Sequence, residues 1–316
     1  MTLTIWSQYP IAEEFYPLFD TVASVTDDLA QANAVLAGGS EPYDGDFMDS
    51  APKLAVISRT GIGYNNVDVS AATSRGIAVC NAPDAPTMST AEHTIGLIFG
   101  VAKQLKWCEE RLTHDAAMGD FKGSYQGLEL YGQTLGLVGF GRIGRRVGEM
   151  ATGIGMKVIA FDPFVEPLVM IDARVSPVES LEILLSRSDV VSLHLPLLPE
   201  TSKLMNAERF AMMKPGAIFI NASRGGLLVE EDLIEALDSG HLYGAGIDVY
   251  EVEPPVSNHP FLGRTDIVAT PHIASGTTVG RKRLWRDAIH NVVQIFKGQR
   301  PAHLLNPSVW PLNLSD

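Results

Sequence analysis

The feature that most constrains this chain is "GLVGFGRIGRR" at residues 136–146. There Gly139, Gly141 and Gly144 stand at the spacing G-x-G-x-x-G between an apolar run, "LGLVG", and a helical pattern, "RIGRRVGEMATGIG". A strand, a tight glycine turn and a helix start make a phosphate cradle. The first glycine permits the turn, the second lets backbone approach a pyrophosphate, the third allows close helix–strand packing, and N–H groups at the helix start attract the anion. The next apolar run, "KVIAF", leads to Asp162, close to the offset at which a carboxylate receives the ribose hydroxyls of an adenosine. A 2′-phosphate there would meet a like charge, and "FDPFVEPL" supplies no Arg to neutralise it, so the expected cofactor is NAD.

Such a cradle usually opens a nucleotide-binding body, yet here it follows a long stretch with its own strand–helix rhythm. The runs "LTIW", "AVLAGG", "LAVIS" and "IAVCNA" alternate with helical patterns, which predicts a parallel sheet. The segment "MSTAEHTIGLIFGVAKQLKWCEERLTHDAAMG", free of proline, reads as one long helix. From Thr134 six apolar runs follow, "LGLVG", "KVIAF", "VVSLH", "AIFIN", "GAGIDV" and "DIVAT", as a doubly wound dinucleotide-binding sheet requires. A second long helical pattern, "TTVGRKRLWRDAIHNVVQIFKGQ", leads into a polar tail. The expected boundaries are 1–98 plus 287–316 for a substrate domain that brings the substrate to the cofactor, and 99–286 for the NAD-binding domain.

Composition excludes several classes of function. With 46% apolar and 19% charged residues the chain is an ordinary globular one, and its net charge of −13 disfavours nucleic acid and anionic membranes as partners. Two cysteines, Cys80 and Cys108, offer no disulfide framework, and "MTLTIWSQYPIAEEFYP" has no signal-peptide pattern. A cytoplasmic location is expected. No histidine pair has the H-E-x-x-H spacing of a metal site, so no metal is expected.

Three further stretches fall at strand ends of the second body, where ligands collect in such sheets: "NASRGGLLVEEDL", "GIDVYEVEPPVSNHP" and "ATPHIASGTT". They carry Arg224, Asp248 with Glu253, and His272. The forked guanidinium of Arg224 offers a fixed cation to a carboxylate, and His272 can deliver or accept a proton near neutral pH. Glu253 nearby would steady the charged imidazole and fix its ring. Taken singly, each residue also has a plain reading as a surface ion pair, a loop acid or a strand-end histidine.

Together with "GFGRIG" and the early "SRTGIGYNNVDVSAATSRGI", these motifs resemble the D-isomer-specific 2-hydroxyacid dehydrogenases. The resemblance runs from about residue 54 to about 300. It implies an α/β chain of two doubly wound parallel-sheet domains, a Rossmann NAD-binding domain inserted into a flavodoxin-like substrate domain. It gives Arg224 the substrate carboxylate and carbonyl, Glu253 the partnership of the histidine, and His272 the acid/base role. It assigns the cofactor to Gly139, Gly141, Arg142, Ile143, Gly144, Asp162, His194, Pro196, Ala222, Ser223, Asp248, Ser275 and Thr90, with Asp248 at the nicotinamide carboxamide. It also implies that the backbone of Gly61, Ile62 and Gly63 binds the substrate carboxylate, although a common form of that motif has Asp where this chain has Asn65. A homodimer is implied, with the region from about Trp107 to Tyr131 in its interface.

The substrate expectation comes from "AVLAGGSEPYDGDF". Gly38, Gly39, Ser40 and Glu41 occupy a stretch where the family's phosphoglycerate enzymes have an Arg, with Arg59 and Arg75 as the alternative arginines of the early domain. The chain also stops soon after the second long helix. These features predict a small unphosphorylated 2-oxo acid, such as glyoxylate, hydroxypyruvate or pyruvate. The alternatives are 3-phosphoglycerate dehydrogenase and a non-catalytic NAD(H)-sensing protein of the same fold.

Overall fold

The computed structural model describes residues 3–39, 41–114 and 121–312, with backbone alone at 114, 121 and 122. Ser40 and residues 115–120 therefore lie outside the described residues, and with them part of the expected long helix and of the expected interface region. The chain forms two compact units, Met1–Pro86 with Gly276–Asp316, and Thr87–Ser275. Both divisions fall before a long helix, earlier than the expected joins at 98/99 and 286/287, because each helix packs along its length with one unit.

The first unit holds strands β1 (Leu3–Ser7), β2 (Ala23–Val25), β3 (Ala34–Ala37), β4 (Val56–Arg59) and β5 (Ala78–Cys80), with helices α1 (Gly45–Asp49) and α2 (Val69–Ser74) between them. The sheet is parallel in the order β2-β1-β3-β4-β5, the flavodoxin-like order. Strands buried on both faces read as continuous apolar runs, as "AVLA" does. One face packs Leu36 and Val56 against Ile289 and Val292, and the other packs Val35 and Ile57 against Tyr43 and Met48. β2 escaped the sequence reading because three residues at a sheet edge, two of them exposed, carry no pattern.

The second unit begins with helices α3 (Thr87–Ala102), α4 (Leu105–His114) and α5 (Phe121–Ser124). The expected single helix is thus interrupted. Gln104 takes a left-handed φ of 48°, which ends one helical run and starts another without a Gly or Pro to announce it. Then come β6 (Thr134–Val138), α6 (Arg142–Gly153), β7 (Lys157–Phe161), α7 (Pro167–Asp172), β8 (Ser176–Pro177), α8 (Leu181–Arg187), β9 (Val190–Leu193), α9 (Ala207–Met212), β10 (Ala217–Asn221), α10 (Glu230–Asp238), β11 (Leu242–Ile247) and β12 (Ile267–Ala269). Helix α11 (Thr278–Phe296) belongs to the first unit.

These strands pair in parallel in the order β12-β11-β10-β9-β6-β7-β8, a doubly wound sheet that reverses direction beside β6. It has one strand more than expected, the two-residue β8. Alternate side chains serve opposite faces: Phe219 packs with Leu184, Phe210 and Leu233, whereas Ile218 and Ile220 pack with Ile98 and Val147. Among the described residues no helix is long and apolar enough to cross a membrane.

Candidate active site

The glycine motif forms the turn from β6 into α6. Gly139 has φ 97°, and a Cβ there would stand 2.5 Å from the carbonyl oxygen of His194, so this position demands glycine. A Cβ on Gly144 would stand 2.4 Å from the Gly139 carbonyl oxygen, which brings the helix close to the turn. Gly141 differs: a Cβ there would face open space, and Gly141 caps α6 with no side-chain hydrogen bond. Arg142, exposed, and Ile143, half-buried, begin α6 at this point, and a helix start is where backbone N–H groups can meet a pyrophosphate.

Asp162 closes the cradle from β7. Its Oδ2 accepts the Phe140 N–H at 2.8 Å and its Oδ1 accepts the Phe164 N–H at 2.9 Å. Each oxygen keeps acceptor capacity for ribose hydroxyls. Phe164, two residues on, is 94% exposed, an aromatic face that sequence reasoning passed over although "DPF" stood beside the acid. His194 lies at the end of β9, its Nε2 3.0 Å from Ser192 Oγ, and burial pushes its imidazole down to about 4. It is a neutral ring near pH 7. Pro196 follows on the exposed surface.

Arg224 leaves β10 in a short segment fixed by its own neighbours. Asn221 Oδ1 accepts the Ser223 N–H, Asn221 Nδ2 donates to the Arg224 carbonyl, and Ser223 Oγ donates to the Leu193 carbonyl at 2.6 Å. Ala222 and Ser223 therefore line a rigid strand end. The guanidinium donates to the Ser223 carbonyl. Burial lowers it from its ordinary value while the Glu253 charge acts the other way, and an arginine stays charged throughout.

Glu253 and His272 form a pair. His272 Nδ1 is 2.6 Å from Glu253 Oε2, and Glu253 Oε1 accepts the Tyr250 N–H at 3.1 Å. Burial works to raise the Glu253 carboxyl, but the hydrogen bond and charge of His272, the Tyr250 amide and Arg224 outweigh it and hold it below its usual range. An ionised carboxylate only accepts, so Nδ1 of His272 is the donor and Nε2 is left to hold or release a proton. The imidazole is 44% exposed, open to a reactant. His272 occupies the left-handed region at φ 53°, an uncommon conformation for a non-glycine residue that its surroundings must enforce.

Asp248 supplies much of that enforcement. Its carbonyl accepts the His272 N–H at 2.7 Å, its Oδ1 accepts the Ile273 N–H and its Oδ2 the Ala274 N–H, both at 2.9 Å, and Thr270 Oγ1 donates to Oδ1 at 2.5 Å. The side chain has 0% exposure. These bonds make Asp248 the centre of the turn that carries His272. Ser275 ends the turn, half-buried. Thr90 is buried within α3 at 6% exposure.

In the five-stranded unit, the loop after β4 has its carbonyls occupied. Ala82 N–H donates to Gly61, Asn81 Nδ2 to Ile62, and Arg59 Nε to Gly63. In a planar trans peptide the N–H points opposite its C=O, so the amides of Ile62 and Gly63 face away from these partners. The same guanidinium corrects an expectation. Arg59 Nη1 donates to the carbonyls of Ala37 at 3.1 Å and Gly39 at 3.2 Å, so of the two alternative arginines Arg59 stands at the Gly38–Glu41 stretch, where the expectation of an unphosphorylated substrate took no cation to be. Arg75 is elsewhere, paired with Asp49.

Known proteins resemble this chain over most of its length. The family description "D-isomer specific 2-hydroxyacid dehydrogenase, NAD binding domain" matches residues 95–274. A D-3-phosphoglycerate dehydrogenase of Methanocaldococcus jannaschii is 35% identical over 287 residues, 90% of this chain and 54% of that protein. A Thermus thermophilus protein of known structure superposes with a TM-score of 0.87 at 34% identity, over 96% of this chain and 100% of the other. A D-lactate dehydrogenase from Aquifex aeolicus, solved with NAD and lactic acid, does so with a TM-score of 0.84 at 26% identity, over 96% and 99%. The fold and site define a nucleotide-binding α/β protein with a histidine–glutamate pair. The chain belongs to the D-isomer-specific 2-hydroxyacid dehydrogenase family, and its second unit is that family's NAD-binding domain. It spans about half the length of the curated relatives it matches.

Proposed function

We propose that the chain is an NAD-dependent dehydrogenase that interconverts a D-2-hydroxy acid and its 2-oxo acid. The observation that carries this reading is the His272–Glu253 pair, with Nε2 open and the charged Arg224 beside it on the same sheet edge. In the direction of reduction, Arg224 binds the substrate carboxylate and polarises the 2-oxo group, and Nε2 of His272 delivers its proton to the oxygen as that oxygen becomes an alkoxide. Glu253 holds the ring and balances its charge. NAD(H), when bound, supplies or accepts the hydride. Gly139, Gly141, Arg142, Ile143 and Gly144 would hold its pyrophosphate and Asp162 its ribose. His194, Pro196, Ala222, Ser223 and Ser275 would border it. The amides of Gly61, Ile62 and Gly63 would bind a carboxylate of the substrate.

For the substrate, the phosphoglycerate names of the curated relatives and the placement of Arg59 at Gly39 favour a 3-phosphorylated acid of the phosphohydroxypyruvate type. A second reading, an unphosphorylated acid, draws on Glu41, whose charge lies in the same stretch. A cytoplasmic homodimer is the assembly and location we infer from the resemblance and the two unbridged cysteines. The test is NADH oxidation by the purified protein against 3-phosphohydroxypyruvate, hydroxypyruvate, glyoxylate and pyruvate. Turnover of one or more is expected. Tight NADH binding with no turnover of any would replace the dehydrogenase by an NAD(H) sensor.

A further inference from the structure

We propose that His93, on α3, is a positioning residue that holds the turn bearing His272. This rests on the reading of His272 as the acid/base. His93 Nε2 stands 2.9 Å from Thr270 Oγ1 and 3.5 Å from Asp248 Oδ1, which makes a second histidine–carboxylate pair behind the first.

Hydrogen accounting gives this contact a direction. The carboxyl of Asp248 is held ionised, and an ionised carboxylate only accepts. Thr270 has one hydroxyl hydrogen, and it is given to Asp248 Oδ1. Nε2 of His93 must therefore carry a proton and donate it toward Thr270 Oγ1 and Asp248 Oδ1. Asp248 then receives the Thr270 hydroxyl, the Ile273 and Ala274 amides and the His93 ring, the set of donors that a fully buried charge requires.

The helix that carries His93 is a fixed point. A Cβ on Gly246 would stand 2.9 Å from Leu97 Cβ, and one on Gly244 would stand 2.8 Å from Val101 Cγ1, so two glycines of β11 let α3 dock directly on the strand. From there His93 reaches Thr270, two residues before His272. The Tyr250 hydroxyl donates to the Thr270 carbonyl at 3.1 Å, while the Tyr250 amide holds Glu253. The left-handed φ of His272 is thus held by a turn to which α3 contributes the His93 imidazole.

The test compares His93→Phe, which keeps a ring and removes the donor, with His93→Gln, which restores an N–H donor on a shorter side chain. In the full chain, His93→Phe is expected to lower kcat about 10- to 100-fold, the scale of a small misplacement of a catalytic group, with KM and the NADH dissociation constant unchanged. His93→Gln is expected to recover most of kcat. Wild-type kcat in a folded His93→Phe, or a His93→Gln as slow as His93→Phe, would overturn the inference. Nitrogen NMR of the imidazoles needs no turnover: a proton on Nε2 of His93, and His272 resonances that shift in His93→Phe and return in His93→Gln, are expected. A neutral His93 with a bare Nε2 would overturn the inference in a chain of any activity, whereas a wild type inert toward every 2-oxo acid overturns only the functional reading.

Discussion

Gly225 lies so close to Tyr250 that a Cβ on the glycine would stand 1.9 Å from the tyrosine's carbonyl carbon. This contact joins the Arg224 segment to the loop whose Tyr250 amide holds Glu253. Gly225→Ala should therefore push that loop away, disturbing Arg224 and Glu253 together. The expected outcome is a stability loss of about 1–3 kcal/mol, typical of overpacking, with a fall in kcat/KM larger than the fall in NADH affinity. Gly226→Ala, whose Cβ would meet only the flexible end of Leu197 at 3.0 Å, should be milder on both counts. Denaturant unfolding and steady-state kinetics on the two variants check it; equal effects would count against the contact.

The His272–Glu253 pair makes a second prediction. Removing an acid/base group costs on the order of 10² to 10⁴ in rate, so His272→Ala should lose turnover on that scale while binding NADH as the wild type does. Glu253→Gln should also be slow. Its amide can still accept from Tyr250, but the paired charge and the obligatory acceptor for Nδ1–H are gone. Fluorescence titration with NADH beside single-turnover kinetics separates these effects, and wild-type turnover in His272→Ala would remove the proposed acid.

Asp248 gives a pH signature. Burial opposes its ionisation, and the hydrogen bonds from His93, Thr270, Ile273 and Ala274 overcome that and hold the carboxyl below its ordinary value. A depressed folded value means that the folded chain holds fewer protons than the unfolded one. The stabilisation is therefore complete above the unfolded carboxyl pKa of about 3.9 and disappears as pH falls through the lower folded value. Asp248→Asn should cost about 3 kcal/mol at pH 7, because it strips a buried network of its charge, and the gap from wild type should close as pH falls below about 4. Unfolding measured from pH 7 down to pH 3 tests this. A gap constant over that range would contradict it.

How much of this was legible in the sequence depended on distance along the chain. The cradle, Asp162 and the strand ends bearing Arg224, Glu253 and His272 were legible because each is a local pattern: a turn that only glycine can make, or a polar residue closing an apolar run. The support behind them was not. His93 meets Thr270 across 177 positions, and Gly225 meets Tyr250 only because β10 and β11 are neighbours in the sheet. Asp248 was legible as a functional acid but not as the buried centre of its own turn, since burial is a property of the packed molecule. The edge strands β2 and β8 were too short to show a period, and the bend at Gln104 rests on one positive φ that no Gly or Pro announces.

Cofactor choice rests on Asp162. Its two oxygens already accept the Phe140 and Phe164 amides, which fixes the carboxylate at the end of β7 beside the cradle. A 2′-phosphate brought to that point would face a fixed like charge. The wild type should therefore show a higher kcat/KM with NADH than with NADPH, and Asp162→Ser should narrow the ratio chiefly by weakening NADH binding. Equal use of both cofactors by the wild type would show that this carboxylate does not select.

The last prediction concerns substrate charge and Arg59. Its guanidinium spans the carbonyls of Ala37, Gly39 and Gly63, three points around the loops that follow β3 and β4. These carbonyl contacts orient the planar fork without neutralising its charge. A phosphate dianion gains from such a donor about 1.5–3 kcal/mol, the range of hydrogen bonds to charged groups, which corresponds to roughly 10- to 100-fold in kcat/KM. An unphosphorylated substrate gains none of this beyond the loop geometry that Arg59 maintains. Arg59→Gln should therefore reduce kcat/KM for 3-phosphohydroxypyruvate at least about 10-fold more than for hydroxypyruvate. The comparison within one variant cancels any general loosening of the loops, because both substrates suffer it alike. Glu41→Gln should act in the opposite sense, favouring the phosphate ester by removing a like charge from the same stretch. Parallel steady-state assays of the two substrates in wild type and both variants decide the matter. Equal losses for both substrates in Arg59→Gln, with hydroxypyruvate the better substrate of the wild type, would return the reading to a small unphosphorylated acid.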